Sequence, residues 1–167
     1  NKKEIYLHCS NANTANEVFQ NVLNDRPEIF WCDGNATSTE YSQSEGQSQY
    51  VVIEPNYLYE GEEKEQRYQE IESARTTCLS GISDLSDEYE KIKYIYTYLI
   101  DNVDYDLDAP DNQNIYSALV GKRSVCAGYA KSCQYLLQQL GIYCIYVTGQ
   151  TTDPNGGVAD HAWSIIM

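Results

Sequence analysis

The sequence predicts an α+β fold in which a helix that begins near a cysteine packs on a small antiparallel sheet. Apolar residues recur at helical intervals between about residues 62 and 140, and two β-branched segments, 142–149 and 158–167, follow on either side of a turn. Two strands joined by so short a turn pair in antiparallel fashion. The preceding helix can then cover one face of the pair.

Size and charge limit the class of protein. The chain has 167 residues and 42% apolar residues, which is enough for a two-layer core. Its net charge of −14 repels phosphate groups, so neither nucleic acid nor an anionic membrane is an expected partner. It has no apolar run of eighteen residues, which excludes a transmembrane segment, and no initiator methionine or signal segment precedes Asn1. These features predict a fragment of a longer protein, of undetermined oligomeric state.

The N-terminal half is predicted to contain a helix and a small antiparallel sheet. Val18, Phe19, Val22 and Leu23 lie on one stripe of a helix over 14–24. Strands are expected over 28–32, near 37–41 and over 49–54, with a polar turn over 42–48. Residues 1–84 thus form an N-terminal extension and residues 85–167 a core, and the two together are expected to form one compact unit.

Four helices are predicted in the middle of the chain, and the last begins at a cysteine. Their expected ranges are 62–78, 86–103, 114–120 and 126–140, with Gly141 closing the last one. As a first-turn residue, Cys126 faces the positive end of the helix dipole, and Lys122 and Arg123 add charge of the same sign. Such surroundings favour a nucleophilic thiolate, although a cysteine at a helix start is more often packing than chemistry.

Cysteine spacing and acidic residues give no metal site. The six cysteines, at 9, 32, 78, 126, 133 and 144, lack a C-x-x-C spacing, so no metal and no cofactor is expected. Alternating acids from Asp104 to Asp111 resemble a calcium loop but lack its glycine and its final glutamate. A disulfide-stabilised structural domain is one alternative, and it predicts that Cys126 is not a free thiol.

His161 is the candidate base for Cys126. The chain has only two histidines, and His161 lies on the last predicted strand, where apolar and polar residues alternate. His8, in EIYLHCS, has no comparable context. The order of elements brings a helix N-terminus and a mid-strand histidine together.

Residues 122–149 (KRSVCAGYAKSCQYLLQQLGIYCIYVTG), followed by DHAWSIIM, resemble the core of bacterial proteins of the transglutaminase-like superfamily. The matching elements are G-x-x-x-x-C-x-G-Y-A, a helix ending in L-G-I, a strand ending in V-T-G, and D-H-A-W; the helix ending in NVDYD resembles the segment that precedes this core. The resemblance covers roughly Leu85 to Met167. The N-terminal half, with RPEIFW and VVIEPNY, is similar to leader regions of secreted or surface proteins of this type from Gram-positive anaerobes, which implies an extracellular or cell-surface location.

The resemblance implies a papain-like fold and mechanism. His161 takes the thiol proton, Cys126 attacks a carboxamide or peptide carbonyl of a peptide or protein substrate, and water or an amine resolves the thioester. Whether hydrolysis or transamidation follows stays open. In the family order, Tyr105 takes the place of a side-chain oxyanion donor, although a tyrosine there can equally serve core packing. Tyr129 and Trp163 flank the pair, where they can border the acyl site or simply pack the helix on the sheet.

One feature of the family pattern is missing from this chain. The resemblance implies that an aspartate on the strand after the histidine strand orients the imidazole, and the sequence ends at Met167 before such a strand. Asp160 is a poor substitute, because strand alternation points it to the opposite face from His161. Two hypotheses therefore remain. The first is a cysteine-dependent peptidase, amidase or transglutaminase that belongs to a longer protein and acts on a peptide or protein substrate associated with the cell wall. The second is a non-catalytic binding or scaffolding domain at the bacterial cell surface, for cell-wall or protein partners.

Overall fold

The structure is a computed structural model that describes residues 2–42, 49–152 and 156–167. The chain divides into two compact units, Asn1–Glu65 and Gln66–Met167. The division falls within the helix Gly61–Ser80 (α2). The part of the chain that the structure describes has no helix long and apolar enough to span a membrane.

The N-terminal unit is a three-stranded antiparallel sheet with one helix on it. The strands β1 (Ile5–Leu7), β2 (Cys32–Tyr41) and β3 (Tyr50–Tyr57) lie in the order β1-β3-β2. The helix α1 (Ala12–Asp25) begins at Asn11, whose side chain accepts a hydrogen bond from the Thr14 N–H, as an N-cap should. Apolar residues of the helix and the sheet form a common core: Ala15, Phe19, Leu23, Val51 and Ile53. The predicted helix and antiparallel sheet are confirmed.

The predicted strand over 28–32 is wrong. After Pro27 the chain turns, and the Ile29 N–H donates to the Arg26 carbonyl over 2.9 Å. Phe30 is buried without belonging to a strand, and its ring packs edge-on against Trp31. The apolar side chains that suggested a strand serve a buried turn instead. The expected turn over 42–48 lies almost entirely outside the described residues.

The predicted helices are present with small changes at their ends. They are α2, α3 (Glu88–Asn102), α4 (Ile115–Leu119) and α5 (Cys126–Gln139). The N-cap of α3 is Asp87, so the helix begins two residues after the predicted start at 86, and the Asp87 carboxylate accepts from the Glu90 N–H. The inner turns of α5 are its most buried part, with Leu136 and Leu137 fully enclosed. This burial makes α5 the central helix of the C-terminal unit.

The last two strands form an antiparallel pair against α5. They are β6 (Cys144–Thr152) and β7 (Val158–Ile166), and Gly149 lies opposite His161. The Ser164 hydroxyl donates to the Ala130 carbonyl of α5 over 3.0 Å, which fixes the face of β7 that meets the helix. The expected α+β arrangement, with the cysteine helix packed on the histidine sheet, is confirmed.

A short parallel strand pair adds a connection that the sequence analysis did not predict. It joins β4 (Asp104–Tyr105) to β5 (Arg123–Ser124), with Tyr105 opposite Ser124. Because β5 ends directly before α5, this pair holds Tyr105 beside the first turn of the cysteine helix.

Candidate active site

Cys126 is the first residue of α5. The preceding Val125 is extended, and a valine side chain has no oxygen with which to cap the helix. The first-turn N–H groups therefore point towards the space in front of the helix, where they favour negative charge. The thiol is partly exposed, as a nucleophile must be.

Buried polar groups fix the backbone just before Cys126. The Asn112 carbonyl accepts both the Val125 N–H, at 3.1 Å, and the Ser124 hydroxyl, at 2.7 Å. Ser124 is fully buried, and its oxygen lies 2.8 Å from that of Ser117, which donates to the Asn114 carbonyl. The loop over 112–114 and the start of α5 are thus joined as one rigid piece.

Gly128 is required by the same packing. A Cβ atom at this position would lie 1.9 Å from the Ser124 oxygen and 3.0 Å from the Asn114 carbonyl oxygen. Real Cβ atoms do not approach other atoms so closely, so the glycine allows the first turn of α5 to sit directly on the loop. This explains the glycine two residues after the candidate nucleophile.

The structure brings Tyr105 and Cys126 together. Both residues border the same two clefts, and the pairing of β4 with β5 holds Tyr105 next to the segment that leads into α5. Burial raises the pKa of Tyr105 and the neighbouring thiol raises it further, while the Cys126 N–H lowers it. The phenol therefore stays protonated at neutral pH, and its hydroxyl is able to act as a hydrogen-bond donor next to Cys126.

Two clefts meet at this point. We call the larger one, of about 720 Å³, the polar cleft; its lining residues include Asn112, Gln113, Tyr146, Thr148, Gln150 and Asp160. The other, of about 410 Å³, we call the apolar cleft; its lining residues include Tyr96, Leu99, Ile100, Tyr129, Trp163 and Ile166. Four residues border both clefts: Tyr105, Cys126, His161 and Ala162.

His161 is held by its neighbours on the sheet. Its ring stacks on that of Trp163, with centroids 6.0 Å apart and planes inclined by 25°. The indole in turn needs the space above Gly149, where a Cβ would lie 2.7 Å from it. Alternation along β7 places both rings on the face away from α5, while Asp160, Ala162 and Ser164 lie on the face that meets it. His161 shares the walls of both clefts with Cys126, but among the described residues no hydrogen bond joins its ring to the Cys126 thiol.

The predicted substrate-contacting aromatic residues are at the apolar cleft. Tyr129 stacks on Tyr105 with ring centroids 6.2 Å apart, and its hydroxyl donates to the Val103 carbonyl. Trp163 borders the same cleft and is 38% exposed. Each residue thus both supports a neighbouring site residue and presents a surface to the cleft.

The two cations upstream of Cys126 are engaged elsewhere, contrary to their expected role. Arg123 forms an ion pair with Asp106. The Lys122 amine lies 5.4 Å from the centre of the Tyr98 ring, and burial lowers its pKa. The Asp106 carboxylate compensates the charge of Arg123, and the Lys122 amine is directed at the Tyr98 ring rather than at the thiol. The helix N-terminus is left as the main electrostatic support.

Sequence reasoning missed several cleft residues on β6. Tyr146, Thr148 and Gln150 alternate along the strand, and all three border the polar cleft. Burial raises the pKa of Tyr146, and the nearby Cys126 thiol raises it further. Their period of two was visible in the sequence, but it could not tell which face of the strand meets α5.

The sequence profile of the transglutaminase-like superfamily matches residues 75–166, which is more than half of the chain. The chain therefore belongs to the transglutaminase-like superfamily, as the resemblance of its C-terminal half suggested. A comparison with curated protein sequences found no match.

Solved structures resemble this chain at low sequence identity. A candidate cysteine protease from Cytophaga hutchinsonii aligns over 79% of the chain with 16% identity and a TM-score of 0.50. A TGase aligns over 98% of the chain with 13% identity and a TM-score of 0.49. The periplasmic domain of TgpA from Pseudomonas aeruginosa bound to ethylmercury aligns over 78% of the chain with 15% identity and a TM-score of 0.44. The chain covers 58%, 47% and 60% of these three structures, respectively.

Proposed function

We propose that this protein is a cysteine-dependent acyl-transfer enzyme that acts on peptide or protein carboxamides through a thioester at Cys126. The observation that carries the proposal is the meeting of two clefts at Tyr105, Cys126 and His161. A nucleophile, a base and an oxyanion donor are the three groups that acyl transfer needs at one point. A substrate chain that lies across both clefts passes over all three.

The chemical steps follow from the properties of these groups. His161 takes the thiol proton, and the Cys126 sulfur forms a bond to the carbonyl carbon, whose oxygen becomes negative. The Cys126 N–H and the Tyr105 hydroxyl donate to this oxygen. The carbon–nitrogen bond then breaks, the leaving nitrogen takes the proton from His161, and a thioester remains. Water or an amine attacks the thioester and releases Cys126.

Two properties of the first turn of α5 support Cys126 as the nucleophile. The thiol lies at a helix N-terminus, where the dipole stabilises a thiolate. The buried contacts of Ser124 and Gly128 hold that turn in place, which keeps the sulfur and its neighbouring N–H in a fixed relation. Extracellular or cell-surface action on a peptide or protein remains part of this proposal.

The test is site-resolved alkylation of the cysteines by iodoacetamide against pH, read by mass spectrometry. We expect Cys126 to react well below pH 7, because a thiolate–imidazolium pair ionises earlier than a free thiol. His161→Ala should weaken this reactivity and lower any carboxamide turnover by about 10²- to 10⁴-fold, the usual contribution of a general base.

His8→Ala is the matched control, because it removes the other histidine. It should change neither the rate of Cys126 alkylation nor the rate of carboxamide turnover. Cys126→Ala should abolish turnover. If Cys126 instead titrates near pH 8.5 and His161→Ala has no effect, the enzyme hypothesis fails. The non-catalytic binding domain then becomes the better account.

A further inference from the structure

We infer that the polar cleft selects substrates with a lysine or arginine beside the reacting carboxamide, with Asp160 as the selecting residue. This inference rests on the proposed function and names a substrate class for it. Asp160 borders the polar cleft, and it is the one carboxylate among the described residues that line it.

The position of Asp160 is set by the sheet. Asp160 lies opposite Gln150, whose side-chain amide donates to its carboxylate over 3.1 Å. Because Ser164 faces α5, strand alternation puts the Asp160 side chain on the same side of β7. That side carries Thr148 and Gln150 of β6, which also border the polar cleft. The carboxylate is therefore presented beside the site rather than away from it.

The remaining lining of the polar cleft leaves a cation as the natural partner. Asn112, Gln113 and Thr148 are uncharged donors and acceptors that suit a peptide backbone. The nearest fixed cations are engaged: Arg123 pairs with Asp106, and the Lys131 amine lies 5.2 Å from the centre of the Tyr146 ring. The net charge of −14 gives the wider field the same sign as Asp160, which draws cationic peptides to the surface.

The effect should be moderate and sensitive to salt. Asp160 is exposed, and exposed ion pairs are weak, so a single pair should give a preference of up to about fivefold. Screening shortens the range of such an interaction to about 3 Å at about 1 M salt. A preference that depends on Asp160 should therefore fade at high salt, whereas one that depends on apolar contact should persist.

The experiment uses two peptides that carry a chloroacetamide at the position of the reacting carboxamide and differ only in a neighbouring lysine or glutamate. The second-order rate of Cys126 alkylation is measured by mass spectrometry. We expect the lysine peptide to react faster than the glutamate peptide, by up to about fivefold. Asp160→Asn should bring the ratio of the two peptide rates close to one, and because both peptides report on the same thiol, any change in the reactivity of Cys126 itself cancels in that ratio.

Asp84→Asn removes the same charge outside the polar cleft and should keep the ratio. Equal rates for the two peptides in the unchanged protein, or a ratio that survives Asp160→Asn, would overturn the inference. Failure of the proposed function shows up separately, as a Cys126 reactivity towards iodoacetamide that His161→Ala does not alter. The ratio of the lysine-peptide rate to the glutamate-peptide rate measures recognition, whereas the effect of His161→Ala measures activation of the thiol. One can therefore fail without the other.

Discussion

Cys126 and Cys133 lie seven residues apart on one helix, both partly exposed, and have different neighbours. Cys126 borders both clefts together with Tyr105. Cys133 lies two turns further along and borders the apolar cleft but not the polar one; its thiol contacts that of Cys144 on β6, and this contact together with burial raises its pKa. Because the residue type and the helix are the same, we expect any difference in reactivity between the two thiols to come from distance to the helix N-terminus and from the neighbouring thiol.

Gly128→Ala should have the largest effect, because it disturbs the reactive end of α5 and leaves the buried end intact. The new methyl group would collide with the Ser124 oxygen and the Asn114 carbonyl, and such overpacking costs typically about 1–3 kcal/mol. We expect a lower urea midpoint and slower alkylation of Cys126, while Cys133 stays protected in the folded protein.

A second substitution tests the cause of the Gly128→Ala effect. Adding Ser124→Ala removes the closest atom, the hydroxyl oxygen, and should recover part of the lost stability. The Asn114 and Asn112 carbonyls stay at 3.0 and 3.1 Å from the new Cβ, so the recovery should be incomplete. A Gly128→Ala protein as stable as the original would refute the packing argument.

The free energy of unfolding should fall by different amounts in Cys133→Ala and Cys126→Ala. Removing the Cys133 sulfur takes away its contact with Cys144, and by the usual value for a small buried group this costs about 1 kcal/mol. Cys126 is equally partly exposed but has no sulfur contact of this kind among the described residues, so Cys126→Ala should cost less. Urea unfolding of both variants checks this, and equal losses would contradict the contrast between the two ends.

The helices and the last two strands could be predicted because their signals are local. The periodicity of α3, the glycine at the end of α5 and the β-branched residues of β6 each lie within one element. The strand predicted over 28–32 failed because a short apolar run does not distinguish a strand from a buried turn. There the hydrogen bond from Ile29 to Arg26 decided the structure.

The surroundings of the site could not be predicted because they come from distant segments. Tyr105 reaches Cys126 only because β4 pairs with β5, which is about twenty residues further along the chain. The Ser117, Ser124 and Asn112 contacts likewise join separate segments. The sequence placed Cys126 at a helix start correctly, but the partners of Lys122 and Arg123 depend on tertiary packing.

The smallest effect concerns a third thiol, Cys78, which extends the contrast between exposed and buried cysteines to α2. Cys78 is fully buried, and burial raises its pKa from 9.0 to about 11. Above pH 9 the unfolded chain therefore releases a proton that the folded chain retains, so stability falls as pH rises from about 9 to about 11. By pH 9.5 the loss should stay below about 1 kcal/mol. Urea unfolding at several pH values measures this loss of stability. Cys78→Ala, which lacks the thiol, should lose correspondingly less stability over the same pH range. An identical decline in both proteins would show that Cys78 is not the source of the loss.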